Sequence, residues 1–200
     1  MGEEKSKAWY NTAYQADIVK KGSTYMKLLS QTHYIKVWEK VIEVINQKNY
    51  RAVLDIGCGP GQFGKLCLDR RIGYLGWDFS DKAIKMAQKM NPGHENRFKI
   101  CGDIQKMEHI TFPGAITMCE VLEHITYDIH VLNRIFCKLL IFTVPNYDYK
   151  SHVRHFVSEH QIRARYAEVV PIDEIIPIET EGKHVIYIVI IDYEKSRNNP

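Results

Sequence analysis

The chain has no C-x-x-C pair among its five cysteines, and Cys58, Cys67, Cys101, Cys119 and Cys137 are scattered along it. An odd count with no paired spacing gives no disulfide framework and no cysteine-built zinc site; it predicts reduced thiols in a reducing, cytoplasmic compartment. Long apolar runs are missing too. The longest, Val185 to Ile191, is far short of the ~20 residues that cross a bilayer, so no membrane span is expected. The amino terminus, MGEEKSK, is charged with no apolar stretch behind it, which predicts no secretory signal. Net charge is small: 27 Lys and Arg against 24 Asp and Glu give +3, too little to argue for nucleic acid by itself. There is no internal repeat and no low-complexity segment. What remains is ordinary for one soluble domain: 200 residues, 45% hydrophobic and 26% charged.

Residues 1–50 read mainly as a helical cap. Ile35, Trp38, Val41, Ile42 and Ile45 recur at three- and four-residue spacing, one face of an amphipathic helix. Trp9, Tyr10, Tyr14, Tyr25 and Tyr34 make the approach to it rich in aromatics, which serve equally as packing or as the roof of a site. From Arg51 the pattern alternates. Strands are predicted at 52–56, 74–79, 98–101, 115–119 and 139–144, and helices from 61 to 69 and beyond, at 83–90 and at 127–136. Strands alternating with helices mean crossover units, hence an α/β fold with a mostly parallel sheet covered by helices on both faces. Residues 169–178 and 184–193 read as a closing hairpin around Glu181-Gly182-Lys183, so one strand is expected to be antiparallel. The core is drawn at 51–195, and 196–200 as a polar, frayed tail.

The chemistry gathers at Val53-Leu54-Asp55-Ile56-Gly57-Cys58-Gly59-Pro60-Gly61, a buried strand entering a Gly-rich turn and then a helix. Glycines at alternate positions let the backbone approach a ligand, and the helix presents its first amides to it. Alone, the turn suits a nicotinamide dinucleotide, a flavin or nothing at all. Asp78 closes the next strand, where a carboxylate accepts both hydroxyls of a ribose. Asp103 ends the third, in Cys101-Gly102-Asp103-Ile104, at a height where an acceptor meets the exocyclic amine of an adenine.

DIGCGPG, then WDFS, then GDI, then MCEVLEH resembles the class I S-adenosylmethionine-dependent methyltransferases, in order and spacing, over roughly residues 34–193. The resemblance implies a Rossmann-like seven-stranded sheet of order 3-2-1-4-5-7-6 with the seventh strand antiparallel. It implies S-adenosylmethionine as cofactor and S-adenosylhomocysteine as product. Asp55, Gly57, Cys58, Gly59 and Gly61 then surround the methionine end, Asp78 holds the ribose, Phe79 flanks the adenine, Asp103 and Ile104 meet its edge, and Glu120 completes the set. A dinucleotide dehydrogenase has no reason to carry the GDI and EVLEH segments.

Methyl transfer from a sulfonium needs alignment and, at most, removal of a proton. The Asn- or Asp-Pro-Pro-aromatic signature of amino-group methylation and the Pro-Cys nucleophile of cytosine C5 enzymes are both absent. Cys119 reads as a packing residue. Glu120, Glu123 and His124 share one face if a helix or turn begins at Glu120. Two roles fit them: a divalent cation held by Glu120, Glu123 and His124 with a further histidine, or His124 as general base. Helix capping by Glu123 and a plain structural His124 fit as well. EVLEH resembles both the ubiquinone-type phenol O-methyltransferases and the small-RNA 3′-terminal 2′-O-methyltransferases. Beyond the fifth strand, His152, Arg154, His155, His160, Arg163 and Arg165 crowd one loop and its helix. This is either a substrate wall, with His155 a second candidate catalytic residue, or a basic surface loop. The leading reading is O-methylation of a small-molecule acceptor. Metal-assisted 2′-O-methylation of an RNA end comes second, and a non-catalytic cofactor-binding subunit third.

Overall fold

A computed structural model describes residues 2–19 and 32–198; Tyr25 lies outside them. Two compact units make up the chain, Lys5–Gly102 and Met1–Glu4 with Asp103–Pro200. Among the described residues no helix is long and apolar enough to cross a membrane.

The Lys5–Gly102 unit carries α1 (Lys7–Val19), α2 (Ile35–Gln47), β1 (Ala52–Ile56), α3 (Gln62–Asp69), β2 (Gly73–Asp78), α4 (Asp81–Met90) and β3 (Phe98–Ile100). Helix α2 follows the apolar spacing of its sequence and buries Val37, Trp38, Val41, Ile42, Val44 and Ile45. Strand β1 pairs in parallel with β2, and β2 with β3. Ser80 caps α4, its hydroxyl accepting from the Ala83 amide at 3.1 Å.

The second unit carries β4 (Ile110–Thr111), β5 (Ala115–Cys119), α5 (Asp128–Leu132), β6 (Ile135–Phe136), β7 (Leu139–Pro145), α6 (Glu159–Tyr166), β8 (Glu174–Glu179), β9 (Val185–Asp192) and α7 (Tyr193–Asn198). Every residue of β7 is buried, so it reads as an unbroken apolar run rather than an alternation. It pairs in parallel with β5 and antiparallel with β9, and β9 pairs antiparallel with β8. The seven-stranded sheet has the order β3-β2-β1-β5-β7-β9-β8, which is 3-2-1-4-5-7-6 with the seventh strand antiparallel, as expected from the sequence.

Three local expectations are corrected. The helix read at 127–136 is only α5; Ile135-Phe136 instead pairs in parallel with Ile110-Thr111, because strand pairing claims the β-branched and aromatic residues. The strand read from Val169 begins at Glu174, because the Val169 and Val170 amides close α6 on the Tyr166 carbonyl, both at 2.9 Å. The segment read as the start of a frayed tail is helical through Asn198.

Tyr74 ties the first unit's core to its loop. Its ring packs edge-on to Phe63 and tilted against Phe98, and its hydroxyl donates to Asp55 Oδ2 at 2.6 Å. Tyr74→Phe keeps the ring and strips the buried Asp55 carboxylate of that donor. It is expected to destabilise the fold by about 1–3 kcal/mol in urea unfolding; a change within about 0.3 kcal/mol contradicts this role.

Candidate functional site

In the first unit, the Gly-rich turn leaves β1 with Gly57, Gly59 and Gly61 at φ 76°, 53° and 80°. Only glycine takes three left-handed positions so closely spaced without strain. A Cβ on Gly61 would lie 2.8 Å from the Ala87 Cβ, and one on Gly59 would lie 3.4 Å from the Tyr14 hydroxyl. Cys58 is buried between them, its thiol pushed up by burial and by the Asp78 and Asp55 carboxylates.

Asp78 reaches back to this turn. Its Oδ2 accepts from the Gly59 amide at 2.9 Å and its Oδ1 from the Ser80 amide at 2.8 Å. Burial lifts its carboxyl to about 6 despite these bonds. Each oxygen keeps a lone pair beyond its amide partner, which suits the two hydroxyls of a ribose. Helix α1 is bound over the same corner. Tyr14 packs on Ala83 and Met86, Tyr10 meets Phe79 edge-on at 5.4 Å, the Ser80 hydroxyl donates to Asn11 Oδ1 at 2.6 Å, and Lys7 pairs with Asp81 at 3.0 Å. Tyr10 and Tyr14 of the aromatic approach thus pack on α4 and Phe79. The residues fit an adenosyl cofactor: a left-handed glycine turn, an under-bonded buried carboxylate and an aromatic ring beside it.

The second unit places Asp103 at the start of a short turn, its Oδ1 accepting from the Gln105 amide at 3.0 Å, with Ile104 half-buried beside it. Its main cluster lies where β5 ends. Glu120 does not open an α-helix. It sits at φ 56°, a left-handed kink, and Leu122–His124 form one 3₁₀ turn. The kink is held by Thr143, whose hydroxyl accepts from the Glu120 amide and donates to Glu120 Oε1, both at 2.9 Å. Glu123 is fully buried and neither carboxylate oxygen has a hydrogen-bond partner among the described residues. Burial and the facing Glu120 carboxyl hold Glu123 well above the ordinary carboxylate range, and burial lifts Glu120 as well.

Two imidazoles complete the group. His124 Nδ1 lies 2.9 Å from the Ser151 carbonyl and His152 Nδ1 lies 3.1 Å from the Tyr147 carbonyl. A carbonyl only accepts, so each Nδ1 carries the proton and each neutral ring presents the Nε2 lone pair. His124 Nε2 is 3.8 Å from Glu123 Oε1, and the two rings are 4.8 Å apart. Burial lowers both histidines, His124 to about 4, which keeps them neutral. One ligand atom each from Glu123, His124 and His152 lies within 4.8 Å of the others. Carboxylates and lone-pair nitrogens with no donor among them suit a divalent cation, and the nitrogens favour the manganese-to-zinc series over calcium. His152 is the loop histidine that joins Glu123 and His124, where the sequence had called for a further histidine without naming it; the histidine-rich loop was its signal. His155 has a buried Nδ1 with no partner among the described residues, and His160 is exposed.

The turn is gripped from the loop after β7. The Val153 amide donates to the Glu123 carbonyl at 2.8 Å. Arg154 donates to the carbonyls of Leu122, Ile125 and Thr126, on both sides of the Glu123-His124 pair. Arg154 is countered by buried Asp128 at 3.3 Å, which Arg165 binds through both oxygens at 2.8 and 2.7 Å and the Tyr166 hydroxyl at 2.7 Å. Nothing in sequence spacing singles out Asp128.

Two outcomes are expected. Asp78→Ala weakens S-adenosylhomocysteine binding at least tenfold, about 1.4 kcal/mol, by calorimetry; unchanged affinity removes Asp78 from the site. The second concerns pH. Glu123 and Glu120 titrate above their unfolded values, so between about pH 4.5 and about 7 the folded chain holds more protons than the unfolded one. Stability linked to this pair is therefore full below the unfolded value and lost as pH rises through the folded one. Glu123→Gln removes that loss, so without added cation its stability relative to the natural chain rises from pH 4.5 to pH 8 in urea titrations. A difference that does not change with pH contradicts the paired titration.

Residues 54–140 match the family model described as a methyltransferase domain. A ubiquinone biosynthesis O-methyltransferase from Nitrosomonas europaea is 30% identical over 86 residues, 42% of this chain and 37% of that relative's length. The methyltransferase domain of a bacterial Hen1 superposes with a TM-score of 0.63 at 15% identity, covering 80% of this chain and all of that one. Magnesium protoporphyrin IX methyltransferase from Synechocystis PCC 6803, solved with S-adenosylhomocysteine, gives 0.64 at 15% identity, covering 93% and 98%. The match to a methyltransferase domain covers less than half of the chain, and the seven-stranded sheet has the Rossmann-like fold of the S-adenosylmethionine-dependent methyltransferases it superposes on.

Proposed function

We propose that the chain transfers the methyl group of S-adenosylmethionine to an oxygen of an acceptor that presents two neighbouring hydroxyls, with a divalent cation held by Glu120, Glu123, His124 and His152. One observation carries this reading: a fully buried Glu123 without a hydrogen-bond donor, facing a second carboxyl and two imidazoles fixed as lone-pair donors. Such a cluster is balanced only by a proton or a cation. Glu120, Glu123, His124 and His152 would hold the cation, which would supply a Lewis acid to make an acceptor hydroxyl more acidic.

The chain's own residues do the rest. Asp78 and the glycine turn bind the donor, and transfer requires the acceptor oxygen to meet the methyl carbon opposite the sulfur. The C–O bond forms as the C–S bond breaks, and the sulfonium becomes a neutral thioether. The hydroxyl proton leaves to a neutral base, for which His155 is the candidate group; His124, with its Nδ1 proton on the Ser151 carbonyl and its Nε2 given to the cation, has no lone pair left to take it. Positioning supplies most of the rate, since methyl transfer has no covalent intermediate.

Two acceptor classes meet the two-hydroxyl requirement. The Hen1 likeness and the cation set favour the terminal ribose of an RNA. The ubiquinone-type relative, 30% identical over 86 residues, favours a dihydroxy aromatic small molecule. The geometry puts cation-assisted transfer ahead of cation-free transfer.

The test is transfer from labelled S-adenosylmethionine into cell extract separated into RNA, protein and small-molecule fractions, with EDTA or with Mn²⁺. Expected is label in the RNA or the small-molecule fraction that EDTA abolishes and Mn²⁺ restores, with Glu123→Gln and His152→Ala at least tenfold slower. Label that persists undiminished in EDTA overturns the cation. Donor binding without label in any fraction moves the reading to a non-catalytic subunit.

A further inference from the structure

The first residues of the chain do not join the helical cap. Gly2 and Glu4 belong to the second unit, and each is bonded to one half of the Glu/His cluster. The Gly2 amide donates to the His152 carbonyl at 2.7 Å. The fit there is tight: a Cβ on Gly2 would lie 2.7 Å from the Lys150 carbonyl oxygen and 3.0 Å from that of His152. Two residues on, Glu4 binds the other half. Its Oε2 accepts from the Thr126 amide at 2.7 Å, just beyond the turn that carries Glu123 and His124. Its Oε1 accepts from Gln105 Nε2 at 2.6 Å, and Gln105 Oε1 accepts in turn from the Tyr127 amide at 2.9 Å. Bonds from Thr126 and Gln105, with Arg154 nearby, hold the Glu4 carboxyl below its ordinary value, so it is ionised at neutral pH.

We infer that residues 2–4 are a positioning strap for the cation site: Gly2 fixes the loop that carries His152, Glu4 fixes the turn that carries Glu123 and His124, and the strap sets the spacing between these ligands. The inference rests on the cation reading proposed above. Between His124 and His152 the chain passes through α5, β6 and β7, and the two halves already meet through the Val153 amide on the Glu123 carbonyl and the Ser151 carbonyl on His124 Nδ1; the strap is a further tie across the same gap. The strap spans the same gap with one intervening residue, Glu3. Arg154, half-buried, grips the turn through three carbonyls, whereas Glu4 is exposed and binds it through the Thr126 amide, so the Glu4 variants act at the surface. Glu3 is exposed and makes no bond in this scheme.

The probe is Mn²⁺ itself, titrated into the full chain and followed by the loss of the free-ion resonance signal. S-adenosylhomocysteine binding serves as the control for an intact fold. Glu4→Ala and Gly2→Val are each expected to weaken Mn²⁺ binding three- to tenfold with donor affinity unchanged. Glu4→Gln, which keeps a carbonyl for the Thr126 amide, recovers at least half of that loss on a logarithmic scale. Under turnover the Mn²⁺ concentration for half-maximal rate rises while the donor KM stays put. If the natural chain binds Mn²⁺ and the variants bind equally well, the strap role is wrong and the cation reading stands. If the natural chain binds no Mn²⁺, Co²⁺ or Zn²⁺, the cation reading falls and takes the strap role with it.

Discussion

A carboxylate has been buried here without a donor. Glu123 has no solvent exposure and no hydrogen-bond partner among the described residues, and its neighbours are another carboxyl and two imidazoles. Burying such a group in ionised form costs several kcal/mol unless a positive charge is brought to it. Its position between two lone-pair nitrogens is the physical basis for reading the cluster as a site.

Much of the second unit is arranged around that cost. Thr143, on the buried strand β7, pins Glu120 in its left-handed kink. The carbonyls of Ser151 and Tyr147 fix the tautomers of His124 and His152, the supporting layer that metal-binding histidines require. Arg154 holds the turn by its carbonyls, and Asp128, Arg165 and Tyr166 neutralise and orient Arg154 in turn. The first unit solves a different problem with different means. There a left-handed glycine turn and the amide-bonded Asp78 leave room and lone pairs for a nucleoside, under a helix anchored by Tyr14 and Asn11.

How much of this was legible in the sequence depends on the kind of constraint. The sheet was, because buried strands and amphipathic helices write their period into the chain, and the strand order followed from the motif resemblance. The glycine turn was, because three left-handed positions demand glycine, and Asp78 stands at the spacing that lets it take the Gly59 amide of that turn. Glu120, Glu123 and His124 were visible as a set, but through a helical face that does not form; a kink and a 3₁₀ turn bring them together instead. His152 could not be told from His155, because a loop has no period from which to read which side chain turns inward. Asp128 and Glu4 were invisible, because their partners lie 37 and 122 residues away in sequence and only the folded chain brings them together.

The central claim is that Glu120, Glu123, His124 and His152 hold a divalent cation. Its most direct test is calorimetric titration of Mn²⁺ into the purified chain at pH 7, repeated in two buffers of different ionisation heat. A cation that displaces the proton that burial keeps on Glu123 binds with release of about one proton, and Glu123→Gln abolishes both the binding and the release. Heat without proton release that Glu123→Gln leaves unchanged, or no binding at all, contradicts the account.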